Sequence, residues 1–162
     1  MQTKNNSQAW NFQNSYIELP NKLYMKQLPV SVKNPQIIYY NISLAKELGL
    51  EFLSEEKVAV AEYFSGNKIP GGASPISQAY AGHQFGHFTM LGDGRAVLLG
   101  EQINQNNQRY DIQLKGSGQT PYSRSGDGRA TLSSMLREYI ISESIHHLGI
   151  PTTRSLAIIQ TG

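Results

Sequence analysis

Two predicted strands, followed by a glycine-rich loop and a long helix, constrain the fold of this chain more than any other feature. The strands cover residues 96–103 and 109–115, and the polar turn Asn104-Gln-Asn-Asn-Gln108 joins them as a hairpin. The helix is predicted over residues 130–148, where Gly149 ends it. Strands that pair antiparallel and then lead into a helix predict an α+β domain.

The loop between hairpin and helix has the composition of an anion-binding segment. Residues 116–129 contain four glycines and five hydroxyl groups. Successive backbone N–H groups in such loops form anion-binding nests. The net charge of the whole chain is +2, whereas residues 109–137 alone carry five basic and two acidic side chains. The positive charge is therefore concentrated where a polyphosphate would bind, although a solvated linker would have a similar composition.

Lys115 lies at the end of the second strand of the hairpin. Alternation places Tyr110, Ile112 and Leu114 on one face of this strand, and Asp111, Gln113 and Lys115 on the other. A lysine in this position either binds a ligand or is an ordinary exposed strand residue.

Glu138 is predicted to be paired, because apolar neighbours flank it on the long helix. The main apolar stripe consists of Leu132, Met135, Leu136, Tyr139 and Ile140. Glu138 lies off that stripe, beside Ile141 and Ile145, and a carboxylate among apolar residues is rarely left unpaired. A glycine turn at Gly92 and Gly94, then Lys115, then Glu138 is the order of parts in a protein-kinase N-lobe.

The rest of the chain yields a coarser prediction. Residues 1–35 are irregular and punctuated by prolines. Ser43 is predicted to cap a helix ending at Leu48, and Ser54 to begin a second helix reaching about Phe64. Residues 66–75 are predicted to form a loop, and residues 88–91 and 153–159 to form strands. Asp127 could simply cap the long helix.

The segment Tyr80-Ala-Gly-His-Gln-Phe-Gly-His87 places two histidines four residues apart. That spacing suits a metal on a helix. The two glycines argue against a helix, and no third ligand is evident nearby, so hydrogen bonds in a turn are the alternative role.

Composition excludes several classes of protein. There is no cysteine, so neither disulfides nor thiolate metal sites contribute. No apolar run approaches the roughly 20 residues that span a bilayer, and the first residues do not resemble a signal peptide. A cytoplasmic protein that binds neither membrane nor nucleic acid is predicted. RNA binding through the Arg/Tyr/Gly loop is a weak alternative, since the net charge is small.

Several short motifs resemble one known family. They are Tyr80-Ala-Gly-His-Gln-Phe-Gly86, Leu91-Gly-Asp-Gly-Arg-Ala96, Gln113-Leu-Lys-Gly-Ser-Gly118, Thr120-Pro-Tyr-Ser-Arg124, Gly126-Asp-Gly-Arg-Ala130, Arg137-Glu138 and Gly149-Ile-Pro-Thr-Thr-Arg154. Together they closely resemble the selenoprotein O family, also called YdiU. Its members have a pseudokinase fold and transfer AMP from ATP to hydroxyl groups of proteins.

The resemblance implies a fold and a set of site residues. Residues 78–162 would form a kinase-like nucleotide-binding N-lobe, an antiparallel sheet with a long αC-type helix, and residues 1–77 would form an extension that wraps it. The catalytic pair would be Lys115, on the phosphates, and Glu138, which pairs with it. The residues contacting ATP would be Gly92, Gly94, Arg95, Lys115, Asp127 and Gly128. The nucleotide would lie flipped relative to ordinary kinases.

The resemblance also implies what lies beyond this chain. Family members continue into a second lobe that carries the catalytic Asp and the ligands for Mg²⁺ or Mn²⁺. Neither that lobe nor those ligands are expected within these residues, so the chain is expected to be a fragment that is inactive alone. Its partners would be ATP and proteins bearing Ser, Thr or Tyr hydroxyls. The alternative is a catalytically inert nucleotide-binding or non-functional fragment, and the oligomeric state stays open.

Overall fold

The computed structural model describes residues 10–51, 53, 56–84 and 86–162. Within these ranges the helices are Ile42–Glu47 (α1), Lys57–Ser65 (α2) and Leu132–His147 (α3). The strands are Tyr24–Lys26 (β1), Gln36–Tyr40 (β2), Ile76–Gln78 (β3), Ala81–Gln84 (β4), His87–Met90 (β5), Ala96–Ile103 (β6), Arg109–Lys115 (β7) and Ala157–Gln160 (β8). None of the helices in the described part of the chain is long and apolar enough to cross a membrane.

The strands form antiparallel sheets. The largest has four strands in the order β1-β3-β6-β7, while β2 pairs with β8 and β4 pairs with β5. The prediction of an α+β fold built on antiparallel sheets is confirmed. The closer likeness to a kinase N-lobe and the division at residues 77 and 78 stay predictions.

The β6–β7 hairpin has the predicted bounds. Ala96 lies opposite Lys115 and Ile103 lies opposite Arg109. Every residue of β6 is buried, and Leu99 of this strand packs with Trp10 and with residues of helices α1 and α2. On β7 the buried positions are Ile112 and Leu114, in agreement with the predicted alternation. Lys115 therefore ends an edge strand and points away from the core.

The hydrophobic core lies between the hairpin and helices α1 and α2. Leu99 of β6 and Ile112 of β7 pack there against apolar residues of both helices and against Trp10. Trp10 stacks on Phe12, with ring centroids 5.3 Å apart. The first described residues are thus part of the core.

Buried polar residues of β6 hold the N-terminal segment. The Glu101 carboxylate accepts hydrogen bonds from the backbone N–H of Ser15 and of Tyr16 and from the Ser15 hydroxyl. The Gln102 side chain accepts a hydrogen bond from the N–H of Asn11 and donates one to the carbonyl of Leu48. β6 therefore binds the residues that precede β1 through side chains as well as through backbone hydrogen bonds.

Of the two helix starts predicted in the first half of the chain, one is wrong and the other lies outside the described residues. Helix α1 begins at Ile42, and its cap is Asn41, whose Oδ1 accepts a hydrogen bond from the N–H of Leu44 at 3.1 Å. The prediction of Ser43 as the cap is wrong, since Ser43 already lies in the first helical turn. The predicted start of the second helix, Ser54, lies outside the described residues, and α2 ends before Gly66 at a φ of 85°.

Two strand predictions are corrected. The predicted strand 153–159 is shorter, Ala157–Gln160, because Arg154 and Ser155 bind a carboxylate of α3 instead of pairing with a strand. The glycine- and histidine-rich segment, in which no strand was predicted, contains strand β4 over Ala81–Gln84, which pairs with β5 in a second hairpin.

Helix α3 has the predicted position but not the predicted packing. It spans Leu132–His147, and the hydroxyl of Thr131 caps it by accepting a hydrogen bond from the N–H of Ser134. All five members of the predicted apolar stripe stay exposed or only half-buried, and the buried residue of the helix is Glu143. Polar contacts therefore attach this helix to the rest of the chain.

Candidate functional site

A tight glycine turn connects β5 to β6. Gly92 has a φ of 67°, and a Cβ atom there would lie 2.7 Å from both the Gln78 carbonyl oxygen and the Tyr122 ring. A Cβ atom on Gly94 would lie 2.9 Å from the Tyr122 carbonyl oxygen. The Ser123 hydroxyl donates a hydrogen bond to the Gly94 carbonyl. Both glycines are therefore required where the turn packs against the loop that follows β7.

Asp93, between these glycines, is a buried carboxylate that sequence reasoning did not single out. Its Oδ2 accepts hydrogen bonds from the N–H of Gln78 at 3.0 Å and from the amide of Gln113 at 3.5 Å. Burial raises the pKa of Asp93 above its usual range, and the hydrogen bonds from the Gln78 N–H and the Tyr80 hydroxyl oppose that shift. The carboxylate ties the turn to both β3 and β7. Only its position between two glycines could have pointed to it.

The loop over residues 116–129 folds back on itself. The N–H of Gly118 donates to the carbonyl of Gly128, and a Cβ atom on Gly128 would lie 2.0 Å from the Gly118 carbonyl oxygen. Asp127 accepts a hydrogen bond from the N–H of Arg129. Since Thr131 caps α3, the interpretation of Asp127 as the cap is wrong. These contacts within the loop favour an ordered segment over the linker alternative.

Lys115 and Glu138 form an ion pair. The Lys115 Nζ lies 2.5 Å from Oε1 and 2.6 Å from Oε2 of Glu138. The two side chains are 40% and 45% exposed. The prediction that Glu138 is paired is confirmed. The contact joins the end of β7 to the second turn of α3.

One cavity brings most of the predicted site residues together. Its volume is about 650 Å³, within the range of roughly 300–1,000 Å³ that small-molecule sites occupy. Its lining includes Gly92, Gly94, Arg95, Lys115, Asp127 and Gly128. Glu138 is not part of this lining. It borders a neighbouring cavity of about 480 Å³ between α3 and residues 152–155, and it reaches the first cavity through Lys115.

The charge around the larger cavity is mainly positive. Arg124 and Arg129 of the loop join Arg95 and Lys115 in its lining. The Arg129 Nη2 donates to the carbonyl of Val30, while its Nη1 is buried with no hydrogen-bond partner in the described part of the chain. Four cations thus surround the cavity, against the carboxylates of two aspartates.

Two arginines of the basic stretch lie elsewhere. Arg109 pairs with Glu101 at 3.0 Å, and Arg137 lines the smaller cavity. Of the five basic side chains in residues 109–137, only Lys115, Arg124 and Arg129 line the larger cavity. Sequence reasoning assigned no role at this cavity to other residues that line it, among them Tyr80, His83, Gln113 and Tyr122.

The two histidines of the second hairpin do not form a metal site with other described residues. His83 lies in β4 opposite Phe88, with ring centroids 5.3 Å apart, and His87 lies in β5 opposite Gln84. Among residues 10–51, 53, 56–84 and 86–162, no three or more His, Cys, Asp or Glu side chains are grouped closely enough to hold a metal ion. The metal interpretation of this histidine pair has no support.

Comparison with known proteins identifies relatives along nearly the whole chain. The family model described as protein adenylyltransferase SelO matches residues 6–162. A protein nucleotidyltransferase YdiU from Bacillus cytotoxicus is 61% identical over 99% of this chain, and one from Anoxybacillus flavithermus is 62% identical over 94%. A further YdiU from Nitrosococcus oceani is 60% identical over 95%. The chain spans about a third of the length of these relatives, 33%, 32% and 31% respectively.

Proposed function

The chain belongs to the protein adenylyltransferase SelO family, and on that premise we propose that it forms the ATP-binding part of an enzyme that transfers AMP to proteins. The acceptors would be Ser, Thr or Tyr hydroxyls. The relatives are named protein nucleotidyltransferases, which supports the reaction class. Since the chain spans about a third of their length, the transfer reaction is proposed for the whole protein and ATP binding for this part of it.

The observation that carries the proposal is the Lys115–Glu138 ion pair at the edge of the cationic cavity. A lysine that already has a carboxylate partner is held in one orientation, with its remaining donor capacity available to an anion. At about 4 Å and an effective dielectric constant of about 20, one phosphate charge and one ammonium attract each other by roughly 4 kcal/mol. Lys115 would bind the phosphates, and Glu138 would orient Lys115.

The other predicted residues have separate roles in this proposal. Arg95 would add a positive charge along the triphosphate. Gly92 and Gly94 would form a rigid wall, since close packing on the neighbouring loop keeps their turn in place. Asp127 and Gly128 would act through the shape of the loop, because a carboxylate does not attract phosphate and its oxygen already accepts the N–H of Arg129.

The family also implies Mg²⁺ or Mn²⁺. The described residues do not fit such an ion, since they contain no suitable group of His, Cys, Asp or Glu side chains. No step is assigned to a metal on these residues, and the metal requirement stays a prediction for the whole protein.

Calorimetric titration with ATP tests the binding part of the proposal. The chain should bind ATP, and Lys115→Ala should weaken binding at least roughly tenfold, or 1.4 kcal/mol. The matched control is Lys26→Ala, which removes an exposed lysine from β1 at the opposite edge of the same sheet. The control should bind like the parent. Equal affinity of parent and Lys115→Ala would contradict the role of Lys115.

Labelling of proteins with α-phosphate-labelled ATP tests the transfer part, on the whole protein that contains this sequence. The parent should label protein substrates, and Lys115→Ala should not. ATP binding without any labelling would favour the alternative of an inert nucleotide-binding module. Labelling by Lys115→Ala at the parental rate would refute the catalytic assignment.

A further inference from the structure

Helix α3 carries Glu138, yet no residue of that helix belongs to the hydrophobic core that the described residues form. Ile140 and Ile141 are each 57% exposed. Tyr139 contacts the ring of Tyr39, with centroids 4.5 Å apart, at the surface. Apolar burial therefore does little to fix the helix, and something else must set the position of Glu138.

The buried residue of α3 is Glu143, and it is fully engaged. Arg154 donates from Nε to Oε1 at 3.0 Å and from Nη2 to Oε2 at 2.6 Å. Asn41 donates to Oε2 at 3.0 Å, and the N–H of Ser155 approaches Oε1 at 3.4 Å. The Arg154 hydrogen bonds hold the pKa of Glu143 below its usual range, so the carboxylate stays charged near neutral pH.

The partners of Glu143 belong to rigid parts of the fold. Asn41 caps α1, and its own N–H donates to the carbonyl of Leu156, just before β8. Arg154 reaches back to α1 as well, with Nη1 3.2 Å from Glu47. Helix α3 is thereby attached to α1 and to the segment before β8.

Glu138 and Glu143 are five residues apart, which on an α-helix is about 7.5 Å along the axis and about 140° around it. Their contacts therefore hold two different faces of α3. An exposed ion pair such as Lys115–Glu138 contributes little to holding a helix. Truncating one member of a buried, hydrogen-bonded ion pair is far more disruptive, because it leaves the other charge unpaired. The constraint on the helix thus comes mainly from Glu143.

We propose that Glu143, held by Arg154 and Asn41, is a positioning residue that sets the rotation and axial position of α3 so that Glu138 meets Lys115. This deepens the proposed function and rests on it only for the consequence in ATP binding. The N-terminal half of the chain, through α1, thereby helps to build the site formed by the second half.

The first test observes Lys115 directly and needs no nucleotide. In the chain labelled with ¹⁵N-lysine, the Nζ resonance that disappears in Lys115→Ala belongs to Lys115, and Glu138→Gln gives its unpaired position. Glu143→Gln replaces an acceptor oxygen by a donor facing Arg154, and it should move the Lys115 resonance toward that unpaired position. An unchanged resonance in folded Glu143→Gln would overturn the proposal.

Two further variants separate positioning from general loss of stability. Glu101→Gln alters an equally engaged buried carboxylate on β6, away from α3, and should leave the Lys115 resonance in place. Arg154→Lys keeps the charge but loses the bidentate hydrogen bonding to the Glu143 carboxylate. It should therefore give an intermediate shift of the Lys115 resonance, even if Glu143→Gln does not fold. A shift in Glu101→Gln as large as in Glu143→Gln, or none in Arg154→Lys, would contradict the proposal.

The second test uses ATP. Glu143→Gln should weaken ATP binding roughly 3- to 10-fold, and it should have no added effect in the Glu138→Gln background, since both changes release the same lysine. Full additivity of the two effects would refute action through Glu138. If the parent chain binds no ATP, the proposed function fails in this chain, while the Lys115 resonance still decides the positioning role.

Discussion

Replacing Glu138 by Gln should separate the contribution of the Lys115–Glu138 pair to folding from its contribution to the site. The substitution keeps the size and shape of the side chain and removes its charge. Both members of the pair are 40–45% exposed. We therefore expect the fold to survive the change and the orientation of Lys115 to be lost.

The expected magnitudes differ for the two properties. An exposed ion pair contributes about 0–1 kcal/mol to stability, so the free energy of unfolding should fall by no more than about 1 kcal/mol. For a chain of 162 residues, that corresponds to a drop in Tm of roughly 2–4 °C. ATP affinity should fall roughly 3- to 10-fold, or about 0.7–1.4 kcal/mol, because a released lysine must be immobilised again on binding.

Urea unfolding and calorimetric titration with ATP measure the two quantities. The matched control is Arg109→Gln, because Arg109 is 43% exposed and also forms an ion pair, with Glu101 at 3.0 Å, away from the cavity. It should lower stability at least as much, because Glu101 is only 5% exposed, and it should leave ATP affinity unchanged. If Glu138→Gln lowered stability by more than about 2 kcal/mol and left ATP affinity unchanged, the pair would be structural and the reasoning wrong.

Three further predictions concern the framework of the site. Gly128→Ala should lower the free energy of unfolding by more than about 1 kcal/mol, because φ is 69° and a Cβ atom would clash with backbone atoms. Gly71→Ala, with open space around it, should be nearly neutral in the same urea experiment. Asn41→Ala should cost about 1–3 kcal/mol by thermal or urea unfolding, because it removes a helix cap and a partner of Glu143, while Ser43→Ala should cost much less. The pKa of Glu143 is lowered on folding from 4.5. The stabilisation that the Glu143 carboxylate provides is therefore complete above its pKa in the unfolded chain and is lost as the pH falls through its lower pKa in the folded chain. Glu143→Gln should flatten the pH dependence of the free energy of unfolding below about pH 4.5. An unchanged slope would contradict this.

The parts of the fold that follow from local patterns could be predicted from the sequence. The hairpin of β6 and β7 was predicted with its observed bounds, because β6 begins with an apolar run, β7 alternates clearly and a polar turn separates them. Pairing of Glu138 followed from its apolar neighbours on the helix. The turn at Gly92 and Gly94 followed from its two glycines, whereas Gly128 was named only because of the family resemblance.

Long-range contacts could not be predicted in the same way. Glu143 resembles any polar residue of a helix, and its burial depends on Arg154 and Asn41, the latter 102 residues away in sequence. The cap of α1 was assigned to Ser43 because serine favours that position, while tertiary contacts make Asn41 the cap. The apolar stripe of α3 predicted a core face, but the core forms between the hairpin and helices α1 and α2, and no residue of α3 belongs to it.

The hydrogen bonds between β6 and the first described residues have a consequence for shortening the protein. Removing residues 10–16 would take away the hydrogen bonds that Ser15 and Tyr16 donate to the Glu101 carboxylate and the one that the N–H of Asn11 donates to Gln102. Each such hydrogen bond contributes about 1 kcal/mol, so losing all of them approaches the lower end of total domain stability, about 5 kcal/mol. Residues 10–16 therefore behave as an interior component of the domain, and an N-terminal deletion that removes them should destabilise it.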